Sequence, residues 1–342
     1  MDIDHAVRRA GPRRRASRAP RSGTVAAILL AALVVAGLAL RAVGALGAAP
    51  VENFFLVLGS LLIEAFPFVV LGALVSAFIE VFVPARVFAR VARLPAAVQM
   101  PAAGLGGFAF PVCECGSVPV ARRLVSKGLR PSAAITFMLA APILNPVVLV
   151  ATAIAYRGRD VMWAMVLGRA ALGLAAAMAV GWVVGRRTAD QILRSPGGAD
   201  HGHGADPSVG RWSAFFTQMA DDLVMLGGYL VVGGAVAAAL QTFLPQSVLG
   251  SLAETPILNL LALMGLAAVL SLCSESDAFV AASFVQFGPA AQLAFLVFGP
   301  MIDAKLVLLY SGVFGAGFVR TAVVVAGVVT LVGTLWLQLL IG

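Results

Sequence analysis

Apolar stretches of about eighteen or more residues recur from Thr24 to the C-terminus, and they restrict the fold of this chain more than any other feature. Such stretches are long enough to cross the hydrocarbon core of a bilayer as helices. Only 12% of the 342 residues are charged, and the mean hydropathy is +0.98. The sequence therefore predicts an all-α integral membrane protein whose first partner is the lipid bilayer.

The formal net charge of +8 is concentrated before the first apolar stretch, where seven arginines lie within residues 8–21. A basic tail in this position is held on the cytoplasmic side, where it contacts anionic lipid. The sequence thus predicts a cytoplasmic tail over residues 1–23 and a multi-pass protein of the plasma membrane. The same placement argues against nucleic acid as a partner.

The hydropathy pattern predicts seven full spans and two interrupted apolar segments. The full spans are Thr24–Leu40, Phe54–Val83, Pro131–Tyr156, Val161–Val184, Trp212–Leu244, Ala290–Tyr310 and Thr321–Ile341. The first of them, within a helix-and-loop region over residues 24–53, has a second interpretation as a cleaved signal peptide. The interrupted segments are Met100–Val120 and Pro256–Val285, which contain glycine, proline and charged residues. Treating Met100–Val120 as re-entrant keeps the flanking arginines on one side, as the positive-inside rule requires.

Landmarks in the two halves of the chain recur in the same order. The cysteine motif of the first half precedes Pro142-Ile143-Leu144-Asn145, and Cys273 precedes Pro300-Met301-Ile302-Asp303. The first repeat would occupy residues 54–185 and the second 212–342, joined by a cytoplasmic linker over 186–211. Three crossings separate equivalent spans, so the repeats would have opposite orientations. The sequence therefore predicts an inverted-repeat, transporter-like bundle.

The stretch Pro111-Val112-Cys113-Glu114-Cys115-Gly116 is the first candidate site. Its proline and glycine oppose a continuous helix, and unwound backbone at membrane depth must line a cavity or be buried in protein. Cys113 and Cys115 converge only if the backbone is unwound, because residues two apart diverge on a helix. Thiolates select soft metals and metalloids, and Glu114 would balance charge or carry a proton. The alternative is a pair of inert, buried cysteines at a tight turn.

The second candidate site is Cys273-Ser274-Glu275-Ser276-Asp277, which places carboxylates at the depth of an apolar segment. Charges at that depth indicate function. The alternative is an extracellular loop in which Glu275 and Asp277 are hydrated. Cys113, Cys115 and Cys273 together would offer the three-sulfur shell that a trivalent metalloid prefers, making them the predicted metal ligands. Ser274, Glu275 and Asp277 would instead suit a hard cation or a proton relay.

Asn145 and Asp303 follow prolines that interrupt their spans, and Glu64 lies inside the Phe54–Val83 span. Broken helices expose carbonyl groups and half-helix ends that bind ions, so Asn145 and Asp303 are further candidates for substrate binding. A second interpretation is a proline kink with Asn145 as a helix cap. A buried carboxylate such as Glu64 suits proton coupling. No motif for a cofactor or for hydrolysis is present, so we expect no cofactor and no enzymatic activity.

With these motifs, the chain over Phe54–Ile341 resembles the predicted-permease family that includes the organoarsenical efflux permease ArsP and the YraQ-type proteins. The Cys-Glu-Cys-Gly stretch resembles the YraQ-like branch. The resemblance implies a multi-spanning permease for a small-molecule or ion substrate. It also implies that some members work with a second membrane or extracellular subunit.

The sequence thus favours proton-driven efflux of a thiophilic metalloid, an organoarsenical or a soft metal species. One alternative is a membrane thiol oxidoreductase in which Cys113 and Cys115 alternate between dithiol and disulfide. Another is a non-transporting subunit of a two-component complex, in which the polar insertions serve packing alone.

Overall fold

A computed structural model describes residues 48–91, 93–109, 112–187, 192–193, 210–243 and 256–341. Within these ranges the chain forms thirteen helices joined by short connections. They are α1 Ala48–Phe82, α2 Ala85–Val91, α3 Ala96–Ala109, α4 Glu114–Ser126, α5 Pro131–Leu144, α6 Pro146–Ala155, α7 Met162–Val184, α8 Arg211–Phe243, α9 Pro256–Leu270, α10 Asp277–Ser283, α11 Pro289–Phe298, α12 Ala304–Val313 and α13 Ala316–Ile341. The predicted all-α membrane fold is confirmed.

Five stretches of the described chain are long and apolar enough to cross a membrane. They are Pro50–Phe82, Pro131–Ala155, Met162–Val184, Arg211–Thr242 and Ala316–Leu339, and each overlaps a predicted span. The predicted span Ala290–Tyr310 consists of two ten-residue helices, α11 and α12, separated by a turn. The predicted tail, the span Thr24–Leu40 and most of the linker lie outside the described residues.

The helices of the first half recur in the second half in the same order. In each half a long helix is followed by an interrupted pair, a broken span and a final long helix. Some corresponding helices also have corresponding neighbours, because α3 packs on α5 as α9 packs on α11, and α5 packs on α7 as α11 packs on α13. The two long helices α1 and α8 pack against each other and join the halves.

The first interrupted pair begins and ends at the same end of the bundle. At the start of α3, the Gln99 amide donates hydrogen bonds to the carbonyls of Val91 and Leu94. Just after α4, Lys127 Nζ donates to the carbonyl oxygen of Glu80 at 2.6 Å, near the end of α1. The chain therefore enters α3 and leaves α4 beside the C-terminal end of α1. We call this the Arg123 end of the bundle, after the arginine in the last turn of α4.

The second interrupted pair lies toward the opposite end. There the Arg159 guanidinium, in the connection between α6 and α7, donates to the carbonyl of Ala282 near the end of α10 at 3.0 Å. A pocket of about 220 Å³ at this end is lined by residues from the starts of α9 and α11 and from the end of α13. The interrupted pairs of the two halves thus open toward opposite ends of the bundle.

Candidate functional site

Four interruptions in the helices provide the polar centre of the molecule, and at each one a half-helix begins. Cys113 caps α4, with its Sγ accepting from Gly116 N at 3.4 Å. Asn145 caps α6 through Oδ1, which accepts from Val147 N at 2.9 Å, and Asp303 caps α12 through Oδ1, which accepts from Leu306 N at 2.6 Å. Asp277 is the first residue of α10. An acceptor or a carboxylate at these positions satisfies free N–H groups and complements the positive end of the helix dipole.

Glu114 joins the first interruption to both interruptions of the second half. Its Oε1 forms an ion pair with Lys305 Nζ at 3.0 Å, and its Oε2 accepts from Ser274 Oγ at 3.1 Å. The Glu114 and Lys305 side chains are only 1% and 4% exposed. Lys305 Nζ also donates to the carbonyl of Ser271 at 3.0 Å and lies 3.5 Å from Asp303 Oδ2. The Lys305 ammonium group therefore forms ion pairs with two buried carboxylates, those of Glu114 and Asp303.

A second buried ion pair connects the halves, and in this pair the base lies in the first half and the acid in the second. Arg169 on α7 is fully buried and binds both carboxylate oxygens of Asp277, at 2.8 and 2.7 Å. The same guanidinium donates to Thr152 Oγ1 at 3.0 Å and to the carbonyl of Ser274 at 3.2 Å. A bidentate arginine–carboxylate pair fixes orientation as well as distance. Arg169 therefore holds the backbone of the segment from which Ser274 reaches Glu114.

Two further carboxylates lie beside this network without an ion-pair partner of their own in the described chain. Glu64 accepts a hydrogen bond from Ser276 Oγ at 3.1 Å. Both carboxylate oxygens of Glu275 are buried and have no hydrogen-bond partner among the described residues. A buried polar group without a partner is costly, and this cost is removed when a carboxylate binds a proton or a cation.

Cys113, Cys115 and Cys273 are all free and buried, and they lie at the interruptions just described. Cys113 and Cys115 flank Glu114 in the sequence, and Cys273 precedes Ser274, whose hydroxyl donates to Glu114. Across the described ranges, however, no group of three or more His, Cys, Asp and Glu side chains is arranged to hold a metal ion. Metal binding by the three cysteines remains a prediction.

Close backbone contacts bring the half-helices onto the two long helices. A Cβ atom placed on Gly72 of α1 would lie 2.4 Å from the Cα of Gly116 on α4. In the second half, a Cβ on Gly233 of α8 would lie 2.9 Å from the Cα of Lys305 on α12. Only glycine permits approaches this close, as is common where membrane helices pack through small residues. These contacts position Glu114 and Lys305 opposite each other.

The structure brings most of the predicted site residues into connected contacts and adds two residues. Glu114 and Asp303 meet at Lys305, Ser274 donates to Glu114, and Asp277 meets Arg169. Asn145 is buried, and the hydrogen bond described for its side chain is the cap of α6, as in the second interpretation given above. Arg169 and Lys305 were missed as site residues. Charge within an apolar span was the available signal for Arg169.

Long apolar helices, four half-helix starts and a buried charged centre define a class of membrane protein. Irregular backbone and ionisable groups in the interior of an apolar helix bundle are characteristic of proteins that move a substrate across the bilayer. The chain belongs to the predicted-permease family of the ArsP type, whose model, described as "Predicted permease", matches residues 51–338.

Two known proteins are similar to this chain over most of its length. The UPF0718 protein YcgR of Bacillus subtilis (strain 168) is 38% identical over 278 residues, which cover 81% of this chain and 94% of that protein. A "Putative two-component membrane permease complex subunit" of Streptococcus mutans serotype c (strain ATCC 700610 / UA159) is 34% identical over 263 residues, covering 76% and 86%. No solved structure matches the chain significantly. These similarities favour a transporter over an enzyme.

Proposed function

We propose that this permease exports a thiophilic substrate, namely a trivalent metalloid, an organoarsenical or a soft metal species, and that the proton gradient drives export. The observation that carries the proposal is the placement of all three cysteines of the chain, free and buried, at the interruptions around Glu114 and Lys305. Soft ions and metalloids prefer sulfur ligands. The Cys-Glu-Cys-Gly sequence supports membership of the YraQ-like branch.

Exchange of thiols at a trivalent arsenic centre suits such a site. Each S–As bond forms as an As–OH group leaves as water, taking up the proton of the thiol. Cys113 and Cys115 on one side and Cys273 on the other would bind the substrate, with Ser274 and the carboxylates of Glu114 and Asp277 close by. Asn145 and Asp303 hold the starts of the adjoining half-helices. Release would reverse the same exchange.

Protons would bind at Glu64 and Glu275 in this mechanism. Glu275 has buried carboxylate oxygens without hydrogen-bond partners in the part of the chain that the structure describes, and Glu64 is linked to the same segment through Ser276. Proton binding to either group removes an uncompensated negative charge from the interior. The carboxylates therefore provide a physical route by which a proton gradient can favour one conformation over another.

Alternating access in this bundle would rest on an inverted repeat. Support comes from the repeated helix order, the equivalent packing partners and the opening of the interrupted pairs toward opposite ends. Most basic residues of the described chain lie toward the Arg123 end, which supports a cytoplasmic position for that end in the plasma membrane. The site would be exposed in turn to each side.

A tolerance panel in a host that lacks metalloid efflux tests the substrate. Cells expressing the wild-type chain are exposed to trivalent organoarsenicals, arsenite, antimonite and soft metal ions, and the cell content of each element is measured at matched expression. We expect lower accumulation of one species, lost on Cys113→Ser, Cys115→Ser or Glu114→Gln. Ser60→Ala, on an exposed face of α1, is the matched control.

Cys113→Ser separates thiol chemistry from helix capping. Serine is among the preferred N-cap residues, so its hydroxyl can accept the Gly116 N–H in place of the sulfur. A purely structural cysteine would therefore tolerate the change. Retained resistance in this variant and in Cys115→Ser and Cys273→Ser would refute a thiophilic site, and unchanged content of every element would refute the substrate class.

A second candidate function is that of a subunit in a two-component membrane complex. The name of the Streptococcus mutans relative supports it. In this case the chain transports only together with a partner protein, or it does not transport and only binds the partner. Cross-linking and purification from native membranes would recover a stoichiometric second protein, and serine in place of each cysteine would leave that recovery unchanged.

A further inference from the structure

A second charged cluster lies at the Arg123 end, away from the cysteines. Arg123 on α4 forms ion pairs with Asp222 on α8 at 3.3 Å and with Glu80 on α1 at 3.6 Å. Lys127 lies 3.8 Å from the same Glu80 carboxylate. We call these four residues the Arg123 network. It joins the first interrupted pair to the long helices of both halves.

Asp222 is the buried centre of the network. Its side chain is 6% exposed, and Oδ2 accepts from Ser76 Oγ at 2.7 Å while Oδ1 accepts from Arg123 and from Gln218. Arg123 is the cation that neutralises this carboxylate, and it is itself only 16% exposed. Removing one member of such a pair leaves a poorly solvated charge, which weakens the contact between α4 and α8.

The network and the candidate site occupy opposite ends of one short helix. α4 has 13 residues, with Glu114 and Cys115 in its first turn and Arg123 in its last. A helix of this length spans about 20 Å at 1.5 Å per residue. The Arg123 network therefore lies between the candidate site and the Arg123 end of the bundle.

The end of the bundle opposite to the Arg123 end has different contacts. The equivalent half-helix α10 has only seven residues. In the described part of the chain, α10 contacts the α6–α7 connection through a hydrogen bond that the Arg159 side chain donates to the carbonyl group of Ala282, which carries no charge. Within the described residues, one ion pair joins the halves outside the central site, and this pair, Arg123–Asp222, lies at the Arg123 end.

We propose that the Arg123 network is a gate that closes the Arg123 end of the path to the cysteines. It opens when α4 and α1 separate from α8. The inference rests on the proposed location of the translocation site, but not on the identity of the substrate. It predicts that loss of Arg123 exposes the cysteines to solvent from one face of the membrane only.

The chain's own cysteines report this opening, because all three lie at the site and none occurs elsewhere. A membrane-impermeant sulfonated maleimide is added to right-side-out or inside-out vesicles, and the labelling rate is measured by mass spectrometry. Slow labelling is expected for the wild type from both faces. Arg123→Gln should label at least tenfold faster from the face that carries the Arg123 end, with no change from the other face.

Matched variants separate the gate from general loosening. Arg187→Gln removes another arginine at the same end, one that donates to Thr321 at 3.3 Å between α7 and α13, and should leave the rate unchanged. Arg123→Lys keeps the charge and should largely restore slow labelling. Asp222→Asn removes the negative charge that pairs with Arg123 but keeps a side-chain oxygen that can accept the Ser76 hydrogen bond. It therefore tests the gate if the Arg123→Gln variant accumulates poorly.

Unchanged labelling in Arg123→Gln and Asp222→Asn would overturn the proposal, as would equal acceleration from both faces. The result is independent of the element panel. One-sided acceleration with no element exported would retain the gate and reject the thiophilic substrate. Export that depends on the cysteines, without any change in labelling, would retain the substrate and reject the gate.

Discussion

The pair formed by Arg169 and Asp277 should dominate the stability of the central site. Arg169 has no exposed surface, and the Asp277 side chain is 4% exposed, so neither charge has access to bulk solvent. We predict that Arg169→Met destabilises the protein by about 3–5 kcal/mol, the usual cost of leaving one member of a buried pair without its partner. Asp277→Asn should have a smaller effect of the same sign, because the amide oxygen still accepts one of the two guanidinium hydrogen bonds.

The double variant provides the sharper test of this argument. With both residues replaced, no uncompensated charge remains, and replacing a buried pair by neutral groups is often close to neutral. We therefore expect Arg169→Met/Asp277→Asn to be at least as stable as Arg169→Met alone. The coupling free energy from the cycle should be about 2 kcal/mol or more. The hydrogen bonds that Arg169 donates to Thr152 and Ser274 are lost in both backgrounds and cancel.

The free energy of unfolding is measured by reversible SDS titration in mixed micelles, with helix content followed by circular dichroism. Arg157→Gln, at an exposed position in the α6–α7 connection, is the control and should change stability by less than about 0.5 kcal/mol. If the effects of the single variants simply add in the double variant, the two charges are not coupled in the folded state. The described geometry at this position would then be wrong.

Three further predictions follow from the same contacts. Gly72→Ala should lower the yield of folded protein because its Cβ meets Gly116, whereas Gly59→Ala on the same helix has open space and should be tolerated, as size-exclusion profiles would show. Lys305→Met should abolish transport and reduce folded yield by leaving Glu114 and Asp303 without their cation, and adding Glu114→Gln should recover part of the yield but not transport. Glu275→Gln should reduce gradient-driven transport into inverted vesicles at least tenfold while substrate exchange at equal pH persists. Pumping at the wild-type rate in that variant would exclude Glu275 from proton coupling.

The interruptions of the helices were predictable because they follow local rules. Proline at positions 142, 146 and 300 opposes a continuous helix, and the chain breaks at Asn145 and before Asp303 as those rules require. Both residues then serve as N-caps, which is the local role of a short polar side chain that precedes a helix. The sequence did not indicate that the Asp303 carboxylate would also lie near the ammonium group of Lys305.

The ion pairs were not predictable from local rules. Lys305 lies two residues after Asp303, and helical spacing would turn their side chains apart. Asp303, however, is an extended N-cap with φ −136° and ψ 172°, so helical spacing does not apply, and the two groups lie 3.5 Å apart. Arg169 and Asp277 are separated by 108 positions, and only the tertiary packing of α7 against the second half brings them together.

The two central ion pairs give a physical reason why proton binding and movement should be linked. An acid of the first half, Glu114, pairs with a base of the second, Lys305, whereas a base of the first, Arg169, pairs with an acid of the second, Asp277. If the halves move against each other, as alternating access requires, the pairs are stretched while their charges remain in a medium of low dielectric constant. That movement is costly unless a carboxylate is neutralised at the same step. A proton on Glu114 would leave Lys305 paired with Asp303 at 3.5 Å, so that proton can release the Glu114–Lys305 contact without leaving the cation unpaired.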